Sequence, residues 1–160
     1  MVDYLTSFFG LFASTENQLI LMFFSAFLSS TVLPGNSEMI FSTLISQITL
    51  AGEHNTAFTL FLIATLGNSL GSFTTYLMAL LVPPPKLKTE MNRHTQWALR
   101  HSQQYGVWML LLSWLPVVGD VLCGVAGWLR LNPWQSLLFI SLGKAARYGI
   151  IWWGVASFIG

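Results

Sequence analysis

Apolar runs separated by short polar breaks make up most of this chain. The run over residues 19–33 stops at the turn-forming sequence Pro34-Gly35-Asn36-Ser37, and a second run extends from Glu38 to about Leu50. Each run is shorter than the roughly 20 residues that a membrane-spanning helix needs, a length typical of re-entrant segments. Residues 19–50 are therefore predicted to form a helical hairpin that enters a membrane and returns to the same side.

A longer apolar segment follows the polar loop 51–56. Residues 57–82 carry no charge, and this length is enough to span a bilayer with some tilt. Three prolines end the segment, and residues 83–104 form a polar, basic linker.

The same order recurs in the rest of the chain. Residues 107–129 are predicted to form a second re-entrant hairpin, because Pro116-Val117-Val118-Gly119-Asp120 interrupts an otherwise apolar stretch. Residues 134–159 are predicted to form a second spanning helix. At the start of the chain, residues 1–18 are expected to form a short interfacial segment, with a loosely packed start as the alternative.

Composition supports a membrane rather than an aqueous environment. The chain has 160 residues, of which 54% are hydrophobic and 8% charged, and its mean hydropathy is +0.62. Soluble domains carry roughly 25% charged residues. We therefore expect an all-α integral membrane protein of one domain. The N-terminus lacks the basic start of a signal peptide.

The charges are unevenly distributed, although their formal sum is only +1. Four cations lie in the linker, at Lys86, Lys88, Arg93 and Arg100. Because basic loops stay on the cytoplasmic side, residues 86–101 are expected to be cytoplasmic in a multi-pass membrane protein. The near-neutral sum gives no reason to expect a nucleic acid partner.

An internal repeat relates the two halves of the chain. Leu33-Pro34 and Leu115-Pro116 are each followed by three residues and a carboxylate, Glu38 or Asp120. Further along, Leu66-Gly67-Asn68 matches Leu142-Gly143-Lys144. If each half is a re-entrant hairpin followed by a spanning helix, the second half starts on the side where the first ends. The halves are then inverted in the membrane, an arrangement typical of secondary transporters.

Four charged residues inside the apolar segments are the candidate site. Burying an ionised group at the centre of a helix costs about 2.5–3.5 kcal/mol on insertion scales, so such groups persist where they are paired or hydrated. Glu38 and Asp120 follow the two breaks, and Lys144 and Arg147 share one face of the last helix. We expect these four to form a proton, ion or substrate pathway. The alternatives are helix capping for the acids and structural ion pairs for the bases.

Six further residues are assigned supporting roles. Five of them form the breaks, and Asn68 occupies the repeat position of Lys144, with helix packing as its alternative role; the set is Pro34, Gly35, Asn36, Asn68, Pro116 and Gly119. Arg130, between two tryptophans, is expected to be an interface anchor. Cys123 is a lone cysteine, and His54, His94 and His101 fall in loops. We expect no metal, cofactor or catalytic residue.

Five motifs together resemble one family: LPGNSE (33–38), GNSLGS (67–72), SWLPVVGD (113–120), AGW (126–128) and LGKAARY (142–148). They resemble the YqaA-like branch of the DedA superfamily, also called SNARE-associated or VTT-domain proteins, over nearly all of the chain from about residue 25. The resemblance implies a bacterial inner-membrane protein with two opposed re-entrant hairpins. DedA relatives are implicated in moving undecaprenyl phosphate and in proton-motive-force homeostasis, and eukaryotic relatives are lipid scramblases. It also implies that Glu38 and Asp120 supply the required acids, and that Lys144 and Arg147 supply the cations.

Three functions follow from these observations. The first is a transporter or lipid flippase, with proton coupling left open, that handles an anionic, phosphate-bearing lipid or small solute. The second is an intramembrane enzyme, which the absence of a recognisable catalytic motif disfavours. The third is a structural, assembly or homeostasis protein whose charges only hold the halves together. Membrane lipids are the expected partners, and a homodimer is one open arrangement.

Overall fold

The computed structural model describes residues 14–31, 37–83 and 106–159, and all regular structure within these ranges is helical. The elements are α1 (Thr15–Thr31), α2 (Ser37–Leu50), α3 (His54–Leu81), a 3₁₀ helix (Gly106–Trp114), α4 (Val118–Trp128) and α5 (Pro133–Ile159). Residues 1–13 of the predicted interfacial segment lie outside the described residues, as does the linker from residue 84. The breaking residues Pro34, Gly35 and Asn36 also lie outside them.

Helix α1 lies along α3 and runs in the same direction. A Cβ at Gly67 would lie 2.6 Å from the carbonyl oxygen of Phe23, and one at Gly71 would lie 2.4 Å from that of Phe27. Glycine at these two positions lets the backbones approach closely, as small residues do between membrane helices. One turn further on, the Thr75 hydroxyl donates to the Ser30 carbonyl oxygen at 3.3 Å.

Helix α2 returns from the centre of the molecule along α5. Phe41 packs its ring edge-on to Tyr148 with 4.9 Å between ring centroids, and the end of α2 at Thr49 shares a cleft with Trp152 and Trp153. Since α1 runs inward alongside α3 and α2 runs back, the start of α1 and the end of α2 lie at the end of the molecule where α3 begins. The apolar faces of α1, α2 and α3, together with Tyr148, form one core cluster.

The second half of the chain repeats these contacts at the other end. The 3₁₀ helix packs on α5, where the Trp108 and Phe139 rings lie tilted at 55° to each other with 4.9 Å between centroids. Helix α4 runs back along α3, and a Cβ at Gly127 would lie 2.1 Å from the Tyr76 carbonyl oxygen. Each hairpin's first arm thus packs mainly on the long helix of its own half, and the second arm packs mainly on that of the other half.

The first arm of the second hairpin is a 3₁₀ helix of nine residues, Gly106–Trp114. Runs longer than three or four residues are uncommon in this conformation, which rises about 2.0 Å per residue. Nine residues therefore reach about 18 Å, further than the same number would in an α-helix.

Among the described helices, α3 alone is long and apolar enough to cross a membrane on length and composition, and half of its apolar window is buried within the molecule. Helix α5 is nearly as long, at 27 residues, and covers the predicted second spanning segment. The charged residues Lys144 and Arg147 lower the mean hydropathy of α5, so this helix is not apolar enough to qualify as a spanning helix on the same criterion.

Candidate functional site

The two acids predicted from the sequence stand in the first turns of the two returning arms. Glu38 is the second residue of α2, and Asp120 is the third residue of α4. A carboxylate at this point is stabilised by the positive end of the helix dipole. Both helix N-termini, with their acids, therefore lie against α5 in the middle of the bundle.

The described break, before α4, is shaped by three residues. Pro116 lies exposed in the turn, and Val117 adopts a positive φ of 64°, which is rare for a β-branched residue. Gly119 is buried, and a Cβ there would lie 2.5 Å from the Ser113 carbonyl oxygen. Any larger residue at 119 would push the two arms apart and move Asp120.

Lys144 and Asp120 form the first ion pair of the site. The Lys144 Nζ lies 2.6 Å from Asp120 Oδ1, and the side chains are 0% and 23% exposed, respectively. The Ser72 hydroxyl of α3 donates to the same carboxylate oxygen at 2.9 Å. This pair therefore has a hydrogen bond that ties it to the long helix of the first half.

Arg147 and Glu38 form the second ion pair. The guanidinium contacts Glu38 Oε1, and the two side chains are 10% and 29% exposed. Because Glu38 lies in α2 and Arg147 in α5, this pair joins the two halves of the chain. The four predicted charges are thus brought together as two pairs with no net charge.

A chain of neutral hydrogen bonds runs beside the ion pairs. Asn68 Nδ2 donates to the Tyr148 hydroxyl at 2.8 Å, and that hydroxyl donates to Ser37 Oγ at 3.2 Å. Ser37 in turn donates to Ser29 Oγ at 3.2 Å. Asn68 and Tyr148 are buried away from water, so these hydrogen bonds provide partners for polar groups that would otherwise have none.

Sequence reasoning missed four of these residues: Ser29, Ser37, Ser72 and Tyr148. A signal was available for two of them, because Ser72 follows Asn68 by four residues and Tyr148 follows Lys144 by four. Residues four apart share a helix face, so the repeat that matched Asn68 with Lys144 also matches Ser72 with Tyr148.

Three oxygen atoms next to this network are buried without a hydrogen-bond partner: Thr65 Oγ1, Asn68 Oδ1 and Ser69 Oγ. They lie on one face of α3. Buried polar groups of this kind are commonly satisfied by internal water. Within the described ranges, no group of three histidine, cysteine or acidic side chains is arranged to hold a metal ion.

The other predicted residues lie away from this centre, apart from Cys123, which is buried one turn after Asp120 and lies close to Ser72. Arg130 sits in the turn after α4 with a positive φ of 55°, and Cys123 is buried in α4. His54 is exposed at the start of α3, whereas His94 and His101 lie outside the described residues.

The regular structure of the described residues is helical, and two helix N-termini bring acids to buried cations, an arrangement that fits the class of helical membrane proteins. The VTT domain family model matches residues 18–157, and the chain belongs to this family. The resemblance to the YqaA-like branch of the DedA superfamily is thereby confirmed.

Three curated relatives share most of their length with this chain. An uncharacterized protein of Haemophilus influenzae is 52% identical over 144 residues, covering 89% of this chain and 90% of the relative. The inner membrane protein YqaA of Escherichia coli is 40% identical over 141 residues, covering 82% of this chain and 93% of the relative. The YqaA of Shigella flexneri matches to the same extent. No solved structure matches the chain.

Proposed function

We propose that this protein is a transporter or lipid flippase of a bacterial inner membrane that handles an anionic, phosphate-bearing lipid or small solute. The observation that carries the proposal is the meeting of Glu38, Asp120, Lys144 and Arg147 at the tips of two returning arms. Charged groups inside a membrane protein are costly, and they mark substrate or ion pathways. The inner-membrane location rests on the name of the Escherichia coli relative.

The membrane arrangement belongs to the same proposal. Each half is a re-entrant hairpin followed by a spanning helix, and the halves are inverted, with the basic linker 86–101 on the cytoplasmic side. The arm directions support this arrangement, because α1 and α2 run opposite ways beside α3, as do the 3₁₀ helix and α4 beside α5. Inverted repeats with broken helices that meet near the midplane are a common basis of alternating access.

A phosphate group fits the chemistry of this centre. Helix N-termini and guanidinium groups both favour phosphate oxygens, and both converge where α2 meets Arg147. A cleft of about 370 Å³ between the end of α2 and α5 reaches Gly149, one residue from Tyr148. Its walls are mostly apolar, including Trp152 and Trp153, which suits an acyl chain.

Proton coupling is assigned to the two acids. Protonation of Glu38 or Asp120 removes the charge that holds its cation, so proton uptake and the release of Arg147 or Lys144 become linked steps. A transported anion then takes the place of the missing carboxylate charge.

A structural, assembly or homeostasis role is the second candidate, and one observation favours it. Both intramembrane cations already have a partner, and Lys144 is completely buried. Large exposed apolar side chains, among them Trp134, Trp153 and Phe158, suit lipid contact or a second copy of the chain. An intramembrane enzyme is a weaker candidate still, since the sequence has no recognisable catalytic motif and the described part of the chain has no metal cluster to support it.

The test is transport by purified protein in liposomes. We expect wild-type protein to move a fluorescent long-chain lipid monophosphate between leaflets, measured by chemical quenching of the outer leaflet. Glu38→Gln and Arg147→Gln should slow this movement at least about tenfold, whereas Thr59→Val, at an exposed position of α3, should not. A charge exchange, Glu38→Arg with Arg147→Glu, separates the two candidates. If the exchange restores folding but not movement, the charges have a transport role; if it restores both, pairing alone suffices.

A further inference from the structure

The two ion pairs are held in different ways. Lys144 has no exposed surface, and Asp120 accepts hydrogen bonds from both Lys144 and Ser72 on one oxygen. Arg147 and Glu38 are both more exposed than their counterparts. Within the described residues no serine, threonine or amide side chain donates to Glu38. The Lys144–Asp120 pair is therefore braced from a third helix, whereas no side chain among the described residues braces the Arg147–Glu38 pair in this way.

The pairs also join different parts of the chain. Lys144 and Asp120 both belong to the second half, whereas Arg147 and Glu38 belong to different halves. Helix α4 packs mainly on α3 of the first half, and the Ser72 hydroxyl of α3 donates to Asp120, so the Lys144–Asp120 pair is fixed where three helices meet. The Arg147–Glu38 pair lies between α2 and α5, with no comparable third contact among the described residues.

The two cations differ in what they offer an anion. The Lys144 ammonium is a point charge with three donors, and it is committed to Asp120. The Arg147 guanidinium has five donors in a planar fork that matches the oxygens of a carboxylate or phosphate. One carboxylate does not occupy all five donors, and part of the Arg147 side chain is exposed.

We infer that Arg147 is the anion-binding residue and that the Glu38 carboxylate occupies its site until a phosphate group displaces it, while the contacts among Lys144, Asp120 and Ser72 stay closed during this exchange and act as a lock. This inference rests on the proposed function for the class of ligand and assigns separate roles to the two pairs. Glu38 competes with the ligand for the Arg147 guanidinium, so a ligand replaces it only if it carries a negative charge and oxygen atoms that fit the guanidinium. A neutral lipid headgroup lacks the charge, so the ion pair selects for a phosphate group.

The experiment measures binding, not transport. The probes are inorganic phosphate and dodecyl phosphate, titrated into the purified full chain in a zwitterionic detergent and followed by calorimetry. Glu38→Gln removes the competing charge, so we expect it to tighten the Kd of dodecyl phosphate by roughly tenfold or more, as for other close charge pairs. Arg147→Gln should abolish binding, and Arg147→Lys, which keeps the charge without the fork, should weaken it.

The lock is tested with matched variants of the other pair. Asp120→Asn should lower the melting temperature without tightening the Kd, and Ser72→Ala should lower the melting temperature less. Thr43→Val, at an exposed position of α2 whose hydroxyl bonds only within its own helix, is the control and should change neither quantity. If Asp120→Asn does not fold, the Ser72→Ala and Glu38→Gln results still decide the assignment.

Several results would overturn the inference. They are an unchanged or weaker Kd in Glu38→Gln, an equal tightening in Asp120→Asn, and binding that survives Arg147→Gln. Wild-type protein that binds neither probe would overturn it too.

Tighter binding of dodecyl phosphate than of inorganic phosphate identifies a lipid headgroup as the ligand, and equal binding identifies free phosphate. If wild-type protein moves lipid phosphate in liposomes but the variants do not change the Kd as expected, the inference is wrong and the proposed function stands. If the variants change the Kd as expected but wild-type protein moves no lipid phosphate, the transport function is rejected and the anion-binding role of Arg147 stands.

Discussion

Asn68 and Tyr148 connect the two longest helices at the centre of the molecule, where Asn68 Nδ2 donates to the Tyr148 hydroxyl at 2.8 Å. The residues are 80 positions apart, one on α3 and one on α5. The Tyr148 hydroxyl in turn donates a hydrogen bond to Ser37, the residue before Glu38. The hydroxyl therefore links both long helices to the tip of the first hairpin.

Tyr148→Phe is expected to destabilise the protein by about 1–3 kcal/mol, because it leaves the buried Asn68 amide without its acceptor. The phenyl ring should keep its packing against Phe41, so the loss reports the hydroxyl alone. The measurement is the denaturation midpoint in detergent micelles. Thr59→Val serves as control, since its exposed hydroxyl bonds only within α3. An unchanged midpoint in Tyr148→Phe would show that the hydroxyl adds nothing to stability.

Gly67→Ala and Gly127→Ala should each cost about 1–3 kcal/mol of stability, because the new methyl group meets backbone that cannot move aside. The nearest atoms would be the Phe23 carbonyl oxygen at 2.6 Å and the Tyr76 carbonyl oxygen at 2.1 Å. Gly154→Ala is the control, since nothing lies within 4 Å of a Cβ at this position of α5. Removing a glycine from a helix interior favours the helix by about 0.5–1 kcal/mol, so this variant should be neutral or slightly more stable. Equal melting temperatures for all three variants would contradict the close helix contacts.

Asn132→Ala should lower stability by about 1 kcal/mol through the loss of a helix cap. Asn132 Oδ1 accepts from the backbone N–H groups of Trp134 and Gln135, at 3.1 and 3.3 Å, and Pro133 occupies the first helical position, where proline is favoured. Asn132→Asp keeps the acceptor and adds a favourable charge at the N-terminus of α5, so it should retain stability. The chemical denaturation curves of the two variants provide the comparison, and a loss of equal size in both would rule out capping as the cause.

Cysteines introduced at Asn55 and Gln135 are expected to react with membrane-impermeant maleimide from opposite sides of the inner membrane. Asn55 is exposed near the start of α3, and Gln135 is exposed at the end of the molecule where α3 finishes. If the basic linker is cytoplasmic, the cysteine at 135 is shielded in intact spheroplasts and the one at 55 is labelled. Native Cys123 is buried and gives little background, and Cys123→Ala removes the remainder. Labelling of both sites from one side would reject the inverted arrangement.

The positions of the breaks and of the charges were readable from the sequence because both are local signals. Proline and glycine interrupt an apolar run wherever they fall, and an ionised side chain in such a run needs a partner. The choice of partner is not local. Glu38 meets Arg147, and Asp120 meets Lys144, because α2 packs on α5 while α4 starts where α3 and α5 meet. Sequence spacing alone places all four charges at similar depth and leaves either pairing open.

Two other features were hidden for different reasons. The apolar residues Gly106–Trp114 are compatible with either an α-helix or a 3₁₀ helix, since the hydrophobic pattern over nine residues does not separate them. Tyr148 is an aromatic residue in an apolar helix, where packing or lipid contact is the ordinary role. Its hydrogen bonds become visible only when Asn68 and Ser37, each distant in sequence, are placed beside it.

The exchange of arms between the halves has a consequence for how such a chain could have arisen. A lone half would leave its second arm without the long helix on which that arm packs. Two copies of one half, inserted in opposite orientations, would restore this contact for both. An ancestor of half this length would therefore have been an antiparallel pair of identical chains, and the fusion of two gene copies would have freed each half to diverge, to asparagine at position 68 in one half and lysine at the matching position 144 in the other.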